Sequence, residues 1–146
     1  MALFRSDIIK ILDRLDQINN QREKEFNSRI KKGKPLIEYR VDNMNEAKAL
    51  VALMYLSKLP LKNLLSLTSD DYIIRNKELI IMRGLNVRVP VNYDDKVFTA
   101  SWDHLKTISP NCYVFAELKD NPSLYYYINK WLRCLNKKVT VKDLYT

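Results

Sequence analysis

Between Leu67 and Tyr72 the apolar period of this chain changes, and that change most constrains its fold. Upstream, apolar residues recur at three- and four-residue steps, the spacing of one helical face. From Tyr72 to Val91 they alternate with polar residues, the spacing of half-buried strands. Residues 72–75, 78–83 and 87–91 read as three short strands, with turns at Asn76-Lys77 and Gly84-Leu85-Asn86. Val87, Val89 and Val91 fall on one side of the last strand and Arg88 on the other. Turns this short join antiparallel neighbours. The expected fold is therefore mainly α with a small three-stranded antiparallel sheet, an α+β architecture.

The helices have different characters. Phe4, Ile8, Ile11, Leu12, Leu15 and Ile18 form one stripe, and after Ile18 the stripe thins across the polar residues 21–25. Such a helix packs at its apolar end. The stripe fits two roles equally well. It can cover the domain's own core, or Ile8, Ile11, Leu15 and Ile18 can form a dimerisation seam, because their steps approximate heptads. Ser6-Asp7 is a plausible start, and Lys31-Lys32-Gly33-Lys34-Pro35 a stop and linker. The chain thus divides into an amino-terminal amphipathic arm, residues 1–34, and a remainder, residues 35–146. Residues 35–41 suggest a short extended piece. Asn43 or Asn45 can cap a second helix, which is apolar nearly all round from Ala47 to Leu56 and so should be central. A short third helix is expected over residues 61–67, then helices over 99–107 and from Asn121-Pro122, the latter with Leu124, Tyr127, Ile128, Trp131 and Leu132 facing inward. Tyr113, Val114 and Phe115 suggest a short buried strand. Thr140-Val141-Lys142-Asp143 reads as a capping-box-like start to one more helix, with Asp in place of the usual Glu.

Composition removes several classes of function. A chain of 146 residues with 47% apolar types has enough material for a core. Two glycines leave no Gly-rich phosphate loop, and one histidine with two cysteines argues against zinc and against any metal or cofactor site. Cys112 and Cys134 fit a reduced compartment at least as well as one disulfide. No apolar run is long enough to span a bilayer and no signal-peptide pattern opens the chain, so a cytoplasmic protein without membrane or small-molecule partners is expected. A formal charge of +8 favours a polyanion.

Several strings in order resemble one family. Residues 49–67, ALVALMYLSKLPLKNLLSL, are similar to a signature of the tyrosine recombinases, the phage-type integrases, in which a helix ends in a Gly-Leu-Arg turn and a helix like Ser-Glu-Leu-Leu-x-Leu follows. Asp70-Asp71-Tyr72-Ile73 stands at the start of that family's small sheet. Val89-Pro90-Val91 resembles the Val-Pro-Leu end of its hairpin, and Tyr113-Val114-Phe115 its Tyr-Val-Phe strand. Lys142-Asp143-Leu144-Tyr145-Thr146 echoes its His-Asp-Leu-Arg-His-Thr helix start. The likeness covers residues 43–146 and implies a tyrosine-recombinase catalytic-domain-like fold, truncated in this sequence.

The departures fall on the chemistry. Recombinase catalysis needs two arginines and a His or Lys to neutralise charge on the scissile phosphate, and a tyrosine nucleophile. The first arginine position is Pro60. The His and Arg of His-x-x-Arg fall on Lys142 and Tyr145, the hairpin lysine near Arg83, and the nucleophile would lie beyond Thr146. The resemblance therefore implies a catalytically inactive DNA-binding protein, a regulator or accessory factor of a virus or mobile element. It would act in the host cell cytoplasm if viral. Lys62, Arg83, Arg88, Lys137, Lys138 and Lys142 are the cations placed to hold the phosphate backbone of double-stranded DNA. Each is equally an ordinary solvated charge unless they share a face. The alternative is a protein-interaction module that forms a homodimer through its first helix without binding DNA. Tyr125-Tyr126-Tyr127 suggests base stacking, but core packing fits helical spacing better. Trp102-Asp103-His104 lacks a second histidine or a placed nucleophile.

Overall fold

The computed structural model describes residues 3–33, 41–82 and 86–146, with backbone alone at 41–43. The elements run α1 (Arg5–Lys31), α2 (Val41–Ser57), α3 (Leu61–Leu65), β1 (Tyr72–Arg75), β2 (Glu78–Ile81), β3 (Val87–Pro90), α4 (Lys96–Leu105) and α5 (Leu124–Leu132). Short 3-10 turns at Ser69–Asp71, Arg133–Leu135 and Val141–Leu144 complete the order. The protein is mainly helical with a small antiparallel sheet, as the change of period requires.

α2 is the central element. Ala47, Ala49, Leu50, Val51, Ala52, Leu53 and Met54 have no exposed surface, because α1, α4, α3 and β3 pack around the helix. Its first turn lies upstream of the expected cap. The helix starts at Val41, so Asn43 and Asn45 stand inside it, and burial of Met44 extends the helical register past them.

α1 packs only at its apolar end. Ile8, Ile11 and Leu15 are fully buried against α2, α4, α5 and the 133–135 turn, and Ile18 is half-buried on the same core. The stripe is thus consumed by the chain's own interior. Ile8, Ile11 and Leu15, expected at a dimerisation seam, have no surface left to offer one, and each gains about 1.5–3 kcal/mol where it is; Ile18, half-buried, lies at the edge of the same core. The described part of the expected arm, residues 3–33, shares one core with the remainder. The helix begins one residue before Ser6, with Phe4 at its cap and the Asp7 carboxylate accepting the Phe4 N–H at 2.9 Å. Gly33, at φ +66, closes it through its N–H to Ile30 O, and the left-handed turn is one glycine adopts without cost.

α2 ends at Ser57 rather than at Pro60. Lys58 has φ +58, and its N–H bonds Met54 O at 3.0 Å. A lysine here occupies a position that suits glycine. Pro60 then caps α3, which stops at Leu65.

The sheet order is β1-β2-β3. The cross-strand rows Tyr72↔Ile81↔Val87 and Ile74↔Leu79↔Val89 face the core, while Ile73↔Ile80↔Arg88 faces out. Asn76 and Lys77 both have positive φ, which a tight two-residue hairpin demands. β2 and β3 are each shorter than the alternation suggested, ending at Ile81 and Pro90; Arg83 and the turn through Leu85 lie outside the described residues, as do most of residues 35–41.

Three expectations downstream change. α4 spans Lys96–Leu105, because the Asp95 side chain accepts the Val97 N–H at 3.0 Å and starts it early. α5 begins at Leu124, since the Asn121 carboxamide accepts the Ser123 N–H at 2.9 Å and holds Pro122 in a turn. Tyr113 is not in a buried strand. It makes a single bridge to Thr68, with Val114 N–H on Leu67 O, and this alternation buries Val114 while leaving Tyr113 45% exposed. Among the described residues no helix is long and apolar enough to cross a membrane.

Candidate nucleic-acid interface

One open groove, about 520 Å³, collects basic and aromatic side chains from three separate segments. α3 provides Lys62. Leu61 and Leu64 turn inward, so Lys62 and Asn63 between them point to solvent. The bridge at Thr68 provides Tyr113, and the turn after Phe115 provides Lys119, whose N–H bonds Phe115 O at 2.9 Å. The first turn of α5 provides Tyr125, 62% exposed because Leu124 and Ile128 take the buried face. Lys119 Nζ lies 4.4 Å from the Tyr113 ring centroid and 3.2 Å from Asp120 Oδ1. Lys119 is itself half-buried, but its carboxylate partner is exposed, and such a pair is worth only about 0–1 kcal/mol, so a phosphate can replace it.

Of the five described cations among the six expected at a phosphate backbone, only Lys62 lines this groove. Arg83 lies outside the described residues. Arg88 is exposed on the outward face of β3, 3.4 Å from Glu78 across the strand pair. Lys137 is half-buried and engaged with Asp7 at 3.0 Å, so its charge serves the fold. Lys138 and Lys142 are exposed around the final 3-10 turn. The alternation at Thr68–Tyr113 brings Lys119 and Tyr113 to Lys62. Three consecutive apolar residues at 113–115 concealed this, although any strand must turn one of Tyr113 and Val114 outward.

The tyrosine run is more exposed than helical spacing suggested. Tyr125 and Tyr126 are 62% and 59% exposed, and Tyr127, expected on the buried stripe with Ile128 and Trp131, is 38% exposed. It flanks the stripe, and Ile128, Trp131 and Leu132 fill it. Tyr126 and Tyr127 meet edge to face with centroids 5.6 Å apart.

A second cavity of about 640 Å³ lies between α2 and α4, with Glu46, Asp103, His104 and Glu117 on its walls. Glu46 is almost fully buried and accepts the Leu118 N–H at 3.3 Å. His104 donates from Nε2 to Val114 O at 2.7 Å and stacks on Phe115. Both side chains fasten residues 114–118 to the helices. Cys112 and Cys134 are free thiols, and burial pushes the Cys134 thiol up. Among the described residues no cluster of His, Cys, Asp or Glu is placed to hold a metal ion. No family model, no curated protein and no solved structure matches this chain.

Proposed function

We propose that the protein is a non-catalytic DNA-binding module, related in design to the tyrosine recombinases, that holds duplex DNA by its phosphates without cutting it. The observation that carries this reading is the convergence of Lys62 and Lys119, 57 residues apart in sequence by their numbering, on one open groove directly after the α2–α3 turn. Two lysines at a groove edge supply phosphate contacts that read no sequence. The net charge of +8 adds long-range attraction.

The local geometry of the resembling strings supports the family part of the reading. Lys58 is left-handed where the recombinase turn carries glycine, and a small antiparallel sheet follows. At the phosphate-binding positions the chemistry has gone. Pro60 has neither a charge nor an N–H to offer, and Lys142 and Tyr145 replace the His and Arg. Loss of even one oxyanion donor costs about 10²–10³ in rate, so binding would remain while cleavage would not. Such a device suits a regulator or accessory factor of a virus or mobile element.

The test is a gel-shift series on duplex DNA at 50 and 200 mM salt, with the double variant Lys62→Glu/Lys119→Glu. Binding is expected to weaken steeply with salt, and the double variant to lose about tenfold or more. Salt-independent binding, or unchanged affinity in the variant, refutes the assignment. So does covalent capture of nicked DNA, which would make the protein an enzyme.

A further inference from the structure

We infer that the groove between α3 and α5 is also a stacking site for unpaired bases, so that this face takes single-stranded nucleic acid through base faces that a closed duplex does not offer. The inference rests on the nucleic-acid reading above and deepens it.

Phosphate binding alone needs only cations, and it leaves the aromatic lining unexplained. Tyr113 and Tyr125 come from segments on either side of Lys119 and both border the groove with large exposed surface. Exposed aromatic area gathered beside lysines is uncommon on a surface that binds nothing. Among the described residues no ring or cation covers Tyr125, so its face is open. The Tyr113 face is covered by the Lys119 ammonium at 4.4 Å. A base arriving on Tyr113 displaces that ammonium, which then meets the adjoining phosphate, so one exchange supplies both a stacking contact and an ion pair. In duplex DNA the base faces are already stacked on each other and only backbone and base edges are offered. A π-face is available only in an unpaired strand.

Asp120 also borders the groove, beside Lys119. A carboxylate here weakens a purely electrostatic grip, and stacking is indifferent to it. Oligo-dT binding at this groove should therefore depend less on salt than duplex binding does. Two lysines neutralising one phosphate each give a log–log slope of about −1.4 on a single strand.

The experiment is fluorescence anisotropy of the full chain with labelled oligo-dT and with a labelled duplex of mixed sequence, each across a salt series. The variants are Tyr113→Ala, Tyr125→Ala and Tyr125→Phe. Expected is a loss of about tenfold for oligo-dT in Tyr125→Ala, affinity within about twofold of the parent in Tyr125→Phe, and unchanged duplex affinity in both. Circular dichroism of the exposed-site variants separates misfolding from lost stacking. Oligo-dT affinity unchanged in both alanine variants overturns the inference, as does an equal loss on oligo-dT and duplex. Duplex binding with no oligo-dT binding overturns the inference and leaves the duplex reading standing. Tyrosine-dependent oligo-dT binding with no duplex binding upholds the inference and removes the duplex reading. Absence of both removes both.

Discussion

Lys137 Nζ sits 3.0 Å from Asp7 Oδ2, joining residues 130 positions apart in the chain. Asp7 also accepts the Phe4 N–H, so one carboxylate caps α1 and receives the segment that follows α5. The Phe4 N–H, and after it Lys137, hold Asp7 below its ordinary value of 3.8 against the opposing effect of burial.

Asp7→Ala is expected to lower stability by about 1–2 kcal/mol, since it leaves a part-buried N–H and a half-buried ammonium without their acceptor. The pH dependence has a definite sign. A carboxylate with a depressed native pKa contributes stability above its unfolded value, near 3.8, and loses it as pH falls through the lower native value. Urea melts of parent and variant should thus differ most above pH 4 and converge in acid.

Lys137 and Lys62 separate stability from binding. Lys137→Ala should lower the melting temperature and leave duplex affinity within about twofold, because its charge is committed to Asp7. Lys62→Ala should leave the melting temperature unchanged and weaken DNA binding, with the salt slope reduced by about 1. Parallel thermal melts and gel shifts check both. Arg88→Ala should behave like neither, because its exposed pair with Glu78 contributes about 0–1 kcal/mol.

Leu15 decides the role of α1. Leu15→Ala is expected to cost about 2–5 kcal/mol through the cavity it leaves. Leu15→Asp should abolish the folded circular dichroism signal rather than convert a dimer to a folded monomer. A well-folded Leu15→Asp protein would restore the intermolecular seam.

Tyr72 ties the sheet to α4. Its hydroxyl donates to Leu105 O at 2.5 Å, and burial pushes its pKa up to about 12. Tyr72→Phe should cost about 1 kcal/mol by removing the hydroxyl's bond to that carbonyl, which keeps only the long contact from the Ile108 N–H. A raised native pKa contributes stability that is full below pH 10 and lost as pH rises through the native value. Alkaline melts between pH 9 and about 12 should show the parent losing this increment and Tyr72→Phe not.

Lys58 holds a left-handed turn that glycine adopts more readily. Lys58→Gly relieves about 1 kcal/mol of backbone cost and forfeits about 0.5 kcal/mol from the ammonium 4.1 Å above the Tyr55 ring, for a net gain of about 0.5 kcal/mol. Lys58→Val should destabilise, since β-branched residues tolerate positive φ poorly. Thermal denaturation of the two variants tests the sign.

Short-range pattern determined a large part of this molecule. The change of period after Leu67 specified helices and then strands, the all-round apolar run of α2 specified a central helix, and Thr140 with Asp143 specified the closing turn, where the Thr140 N–H meets the carboxylate at 2.7 Å. Each depends on residues within a few positions of one another, so the chain carries them locally. What covers the Ile8–Ile11–Leu15 face, which cation Asp7 claims, and which of Tyr113 and Val114 turns outward were decided only by tertiary structure. Periodicity states that a face must be buried and not what buries it. Lys62 and Lys119 became neighbours for the same reason: Thr68 bridges Tyr113 across the core, and nothing local to either lysine encodes that pairing.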